Sequence, residues 1–181
     1  MSTKTTGTTS AELYRVGIAA AFIALSFVGT TLIRIPIPAT GGYFNLGDTF
    51  VMAAALLYGP RVGAWVGLIG PALADAIGFP QFVLATAVVK CCEGAVVGLL
   101  ASRKNRFMSV AALGVGIVVL VLGYFFFEAL VYPWLAKGIP FFGVTDPKAA
   151  LAEIPPNMLQ GVFSAMIAFG IARLLRGRTT P

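Results

Sequence analysis

Four charged side chains stand inside apolar runs of this 181-residue chain, where chemistry is most easily recognised: Asp75, Lys90, Glu93 and Glu128. A charge at membrane depth costs roughly 2.5–3.5 kcal/mol on insertion scales, so each must be paired or functional. Lys90 and Glu93 are three residues apart and share one helix face, where they can neutralise each other or reach Asp75. Such a pair either fixes helix packing or floors a polar site. There is no histidine, so an embedded enzyme would have only Asp75, Lys90 and Glu93 for acid–base work, and no metal site is indicated. Tyr124, Glu128 and Tyr132 recur at i, i+4 and i+8 along another run. Asn157 and Gln160 are three apart at the start of the last apolar helix, so both amides can face one pocket and offer donors and acceptors to a heterocycle.

A second candidate is the polar stretch Gly41-Gly42-Tyr43-Phe44-Asn45-Leu46-Gly47-Asp48 between two apolar runs. Its glycines allow close backbone approach, Asn45 and Asp48 bring acceptors, and Tyr43 an aromatic face. Gly41, Gly42, Gly47 and Asp48 are read as a gating loop, although Asp48 alone also fits a helix N-cap.

These residues need elements to hold them, and composition says which. With 58% hydrophobic and 11% charged residues, against about 25% charged in soluble domains, the chain is an all-α integral membrane protein. A disordered tail is expected over residues 1–11, a single six-helix membrane domain over 12–176 and a basic tail over 177–181. The six spans fall at Leu13–Ile33, Asp48–Tyr58 (beginning near Tyr43 or lying deep), Val62–Ile77, Gln81–Ala101, Phe107–Tyr132 and Met158–Leu175. Between the first two, Pro36 and Pro38 force an extended path. Lys148 to Glu153 form a short interfacial helix before the last span. The net charge of +6 does not indicate nucleic acid, because the basic residues sit at the ends of apolar runs. Lys4, Arg15, Arg61, Arg103, Lys104, Arg106, Arg173, Arg176 and Arg178 share one side, which places both termini in the cytoplasm. Adjacent Cys91 and Cys92 read as reduced, buried packing residues. Ala20 and Ala24, i to i+4 in the first span, form a small-residue patch that admits another helix.

The run Ile35-Pro36-Ile37-Pro38 through Asp48, with Tyr58-Gly59-Pro60-Arg61-Val62-Gly63, Ala72-Leu73-Ala74-Asp75, Val89-Lys90-Cys91-Cys92-Glu93-Gly94 and Ile154-Pro155-Pro156-Asn157-Met158-Leu159-Gln160, resembles the substrate-binding S component of energy-coupling factor (ECF) vitamin transporters. It resembles most the branch for riboflavin, pyridoxine or the hydroxymethylpyrimidine precursor of thiamine. The resemblance covers Leu13 to Leu175. It implies a six-helix subunit in a prokaryotic plasma membrane that binds a vitamin without catalysis or cofactor. It also implies partnership with a transmembrane coupling subunit, docked on Ala20 and Ala24, and with two ATPase subunits. No nucleotide-binding G-x-x-x-x-G-K-[ST] occurs in this chain, as expected if the motor is separate. The substrate residues implied are Tyr43, Asn45, Lys90, Glu93, Tyr124, Glu128, Asn157 and Gln160. The competing reading is a self-sufficient proton-coupled transporter with Asp75, Lys90 and Glu93 as relay, although no internal repeat supports it.

Overall fold

The computed structural model describes residues 10–37, 42–102, 105–138 and 147–176. Gly41, Arg103, Lys104 and the terminal tails beyond those limits lie outside the described residues. Helix α1 spans Ser10–Leu32 and so begins inside the segment expected as a tail. Strands β1 (Ile35–Ile37) and β2 (Gly42–Phe44) follow, pairing antiparallel with Ile35 opposite Phe44 and Ile37 opposite Gly42. The extended path forced by Pro36 is therefore one arm of a hairpin. Tyr43, opposite Pro36, lies in a strand and not at a helix start.

Helix α2 (Gly47–Tyr58) is the hub. It carries no polar face, and residues from Val51 through Leu57 are all buried, as a helix apolar all round must be. Helices α1, α3 (Pro60–Gly78), α4 (Val83–Leu100) and α7 (Pro147–Arg176) pack around it. A short 3-10 turn, Pro80–Phe82, leads into α4. Helix α5 (Arg106–Phe126) starts where Asn105 Oδ1 accepts from the backbone N–H of Phe107 and Met108. It passes through a π-helical turn, Phe127–Val131, into a last short helix, α6 (Tyr132–Leu135).

Among the described residues, four helices are long and apolar enough to cross a membrane: Glu12–Leu32, Pro80–Leu100, Arg106–Leu135 and Ala150–Arg176; α2 is a shorter apolar helix. The expected break between Lys148–Glu153 and the last span is absent, because α7 runs unbroken through Pro155 and Pro156. Those prolines withdraw donors from the carbonyls of Leu151 and Ala152, and both residues are exposed, so the freed carbonyls are not entombed. Helix α7 is pinned to α2 at two places: Gln160 Nε2 donates to Asp48 Oδ2 at 2.7 Å, and Arg176 Nη2 donates to the Leu56 carbonyl at 2.8 Å.

The most extensive helix pairing, α3 on α4, rests on close backbone approach. A Cβ on Gly67 would collide with the Lys90 carbonyl, which is backbone and cannot swing aside. Gly67→Val is expected to force α3 from α4 and cost about 1–3 kcal/mol, read as a lower melting temperature in detergent. Cys92 corrects the expectation of two buried thiols: Cys91 is half-buried but Cys92 exposed. With Lys90 and Glu93 turned inward, both cysteines fall on the opposite side of α4.

Candidate functional site

The polar residues converge on one cavity between β2, α3, α4, the π-helical turn and α7. Gly42, Tyr43, Asn45, Asp75, Phe82, Thr86, Tyr124, Glu128, Glu153, Asn157 and Gln160 line it, a small open cavity of about 30 Å³. Six of the eight substrate residues implied by sequence are thus brought together: Tyr43, Asn45, Tyr124, Glu128, Asn157 and Gln160. Lys90 and Glu93 are not among the lining residues.

Each side chain is placed by its element. Tyr43 is carried by β2, stacks on Phe79 with centroids 4.5 Å apart, and donates its hydroxyl to Asp75 Oδ1. Burial, reinforced by the Asp75 carboxylate, pushes the Tyr43 hydroxyl above its ordinary range, so it stays protonated and remains a donor. Arg34 braces this stack, its guanidinium 5.2 Å from the Tyr43 centroid and 5.3 Å from that of Phe79. Its own donors go to the carbonyls of Ala74 (2.7 Å) and Thr30 (3.1 Å).

On the α4 side, Thr86 Oγ1 donates to Asp75 Oδ2 at 2.6 Å and lies 2.9 Å from the Tyr124 hydroxyl. A threonine has one proton, already given to Asp75, so Tyr124 is the donor in the second bond. Asp75 is therefore held between Tyr43 and Thr86 hydroxyls. Of the two alternatives that the spacing of Lys90 and Glu93 left open, a direct ion pair with Asp75 is the one not formed among the described residues.

Lys90 instead forms its close ion pair with Asp48, and Glu93 Oε2 lies 3.8 Å from the same ammonium. The shared face of Lys90 and Glu93 and their approach to each other are as expected; Asp48 as the closer partner is not. Asp48 sits in the first turn of α2 and is fully buried. Gly47 and Asp48, read from sequence as part of a gating loop, belong to α2 and are buried in the packed interior.

The tip between strand and helix is tied down through Gln160. Its Oε1 accepts from the backbone N–H of Asn45 (2.8 Å) and from Asn45 Nδ2 (3.2 Å), while Asn45 Oδ1 accepts from the Gly47 N–H at 2.9 Å. With Nε2 on Asp48, the Gln160 amide is committed to protein on both ends. Asn157, one turn earlier, is different. It is only 8% exposed, lines the cavity, and its amide makes no hydrogen bond among the described residues. A buried amide facing empty space is set for a ligand or water.

Sequence reasoning passed over Glu153, Thr86, Phe82 and the bracing pair Arg34–Phe79. Glu153, Asn157 and Gln160 stand at i, i+4 and i+7, one helical face, and that signal becomes visible once the helix is allowed to cross two prolines. The cavity also depends on Gly42, where a Cβ would run into the Glu153 carboxylate. Ala20 and Ala24 lie elsewhere, exposed on α1.

The family model for the S component of ECF-type riboflavin transporters matches residues 10–176. An uncharacterised protein in the gap 3′ region of Pyrococcus woesei is 37% identical over 156 residues, covering 85% of this chain and 96% of that protein. Among solved structures, the S component of a bacterial ECF transporter superposes with a TM-score of 0.64 at 19% identity, over 94% of this chain and 99% of the other. The S component for biotin from an ECF-type ABC transporter gives a TM-score of 0.55 at 16% identity, over 92% and 95%. Both likenesses speak to the fold.

Proposed function

Because the chain belongs to the family of S components of ECF-type riboflavin transporters, a transporter component and not an enzyme, we propose that it is the membrane subunit that captures a vitamin or vitamin precursor for an ECF importer. The observation that carries this reading is the polar cavity with a free, buried Asn157 amide in its wall. Three aromatic residues, Tyr43, Phe82 and Tyr124, line the same cavity, the mixture that binds small heterocycles. Riboflavin, pyridoxine and hydroxymethylpyrimidine define the substrate class.

The rest of the assignment follows the family. The chain crosses a prokaryotic plasma membrane six times with both termini cytoplasmic, and the cavity opens outward. Its uptake is driven by a coupling subunit and two ATPase subunits on separate chains. Exposure of Ala20 and Ala24 on α1 supports that face as the docking surface. The paired strands β1 and β2, with Gly42 opposite Ile37, serve as the lid over the bound ligand. A proton-coupled carrier built on Asp75, Lys90 and Glu93 has less support. Lys90 and Glu93 are 1% and 0% exposed and do not line the cavity, and Asp75 is engaged by two hydroxyls.

The test is thermal stabilisation of the detergent-purified chain by B vitamins and their precursors. A true ligand at 100 times its dissociation constant adds roughly 2.7 kcal/mol to the folded state. Asn157→Ala is expected to remove most of that gain. A panel without a single stabilising compound would overturn the binding-subunit reading.

A further inference from the structure

A groove of about 550 Å³ lies away from the polar cavity, between the N-terminal turns of α1 and of α3 and beside the end of α2. Vitamin capture makes no use of it. We propose that it seats one anionic phospholipid, with the phosphate between Arg15 and Arg61 and an acyl chain running past Trp65.

The order of residue types along both helices carries the argument. On α1 the groove wall passes from Arg15 to Val16 and Ala19, and on α3 from Arg61 to Val62 and Trp65. Each passage covers about one helical turn, roughly 6 Å at 1.5 Å per residue. Charge thus gives way to apolar surface along both walls, in each case away from the start of a helix that enters the bilayer. A phospholipid is built in the same order, from charged headgroup to hydrocarbon tail.

Charge selects the kind of lipid. Both guanidiniums are exposed, and neither is ion-paired among the described residues. Against the two of them the wall holds one carboxylate, that of Glu12. A guanidinium fork matches phosphate bidentately, and forks from two helices can share one phosphodiester. Trp65 is 56% exposed, and tryptophan is the ring that settles at headgroup level, where Tyr58 adds a second amphipathic side chain from α2. Apolar surface alone would admit any lipid; the two arginines favour a negatively charged one.

Trp65 itself reports on the occupant. The chain has two tryptophans, so Trp134→Phe leaves Trp65 as the sole indole. This full-length variant is placed in equimolar vesicles of phosphatidylglycerol and phosphatidylcholine, with bromine on the acyl chains of one lipid or of the other. Brominated phosphatidylglycerol is expected to compete about tenfold better for contact with Trp65, read as fluorescence quenching. Arg15→Gln together with Arg61→Gln should abolish that preference; both side chains are exposed, so the melting temperature should hold. About 1 M salt, which screens charges beyond roughly 3 Å, should abolish it without any change to the arginines. The opposite reporter, Trp65→Phe with Trp134 kept, should show no preference. Equal quenching of Trp65 by the two lipids overturns the proposal, as does the same preference at Trp134 or one that survives both loss of the arginines and salt. Equal quenching together with loss of coupling-subunit binding in the arginine variant assigns the groove to that subunit and overturns the lipid seat. Vitamin binding is read separately, so none of these outcomes bears on the binding-subunit reading.

Discussion

Replacing Lys90 with methionine is expected to destabilise the protein by about 3–5 kcal/mol, because it strands Asp48 and Glu93 as buried carboxylates without a counter-charge. Both are fully buried, and Lys90 itself is 1% exposed. The measurement is unfolding of the detergent-purified chain by heat or denaturant. A companion triple change, Lys90→Met with Asp48→Asn and Glu93→Gln, removes every charge at once. It should recover much of the loss, since a buried ion pair exchanged for uncharged groups of similar volume is often near neutral. If Lys90→Met alone were as stable as the parent, the triad could not be the dry, closed unit described above.

Gln160→Leu is expected to act on stability and on ligand capture together. It leaves the Asn45 N–H and Asp48 Oδ2 without their partners, at about 1–3 kcal/mol for each buried group left unsatisfied. It also releases the strand-to-helix segment from α7, so the aromatic and amide groups on that segment are no longer held to the cavity. The contrast with Asn157→Ala is the informative one. Asn157 bonds to nothing described, so its loss should weaken ligand while the unliganded melting temperature changes little. Equal melting losses in the two variants would contradict this division between a residue that positions the site and a residue that reads the ligand.

Much of this was readable from residue order, and the failures have physical causes. The extended segment at Ile35–Ile37 followed from proline chemistry, and the common face of Lys90 and Glu93 from helical spacing. Both are local facts. The partner of that face was not local: Asp48 lies on α2 and meets α4 only because a short apolar helix is buried among its neighbours. No spacing rule reaches across such a distance. The unbroken α7 was hidden by the ordinary rule that proline ends helices, here outweighed because the carbonyls deprived of donors belong to exposed residues. Thr86 was hidden for the opposite reason, as one hydroxyl in an apolar helix signals nothing until Asp75 is seen beside it.

The double attachment of α7 to α2 has a mechanical meaning. Glu153 and Arg176 lie on one continuous helix, about 35 Å apart at 1.5 Å per residue. Asp48 and Leu56 receive α7 near the two ends of α2. Two rods fastened at two points form a truss, in which neither can twist or slide without the other. Between Asn157 and Arg176 the helix contains no proline, so the two attachment points belong to one frame with α2, and the Lys90 triad joins it through Asp48.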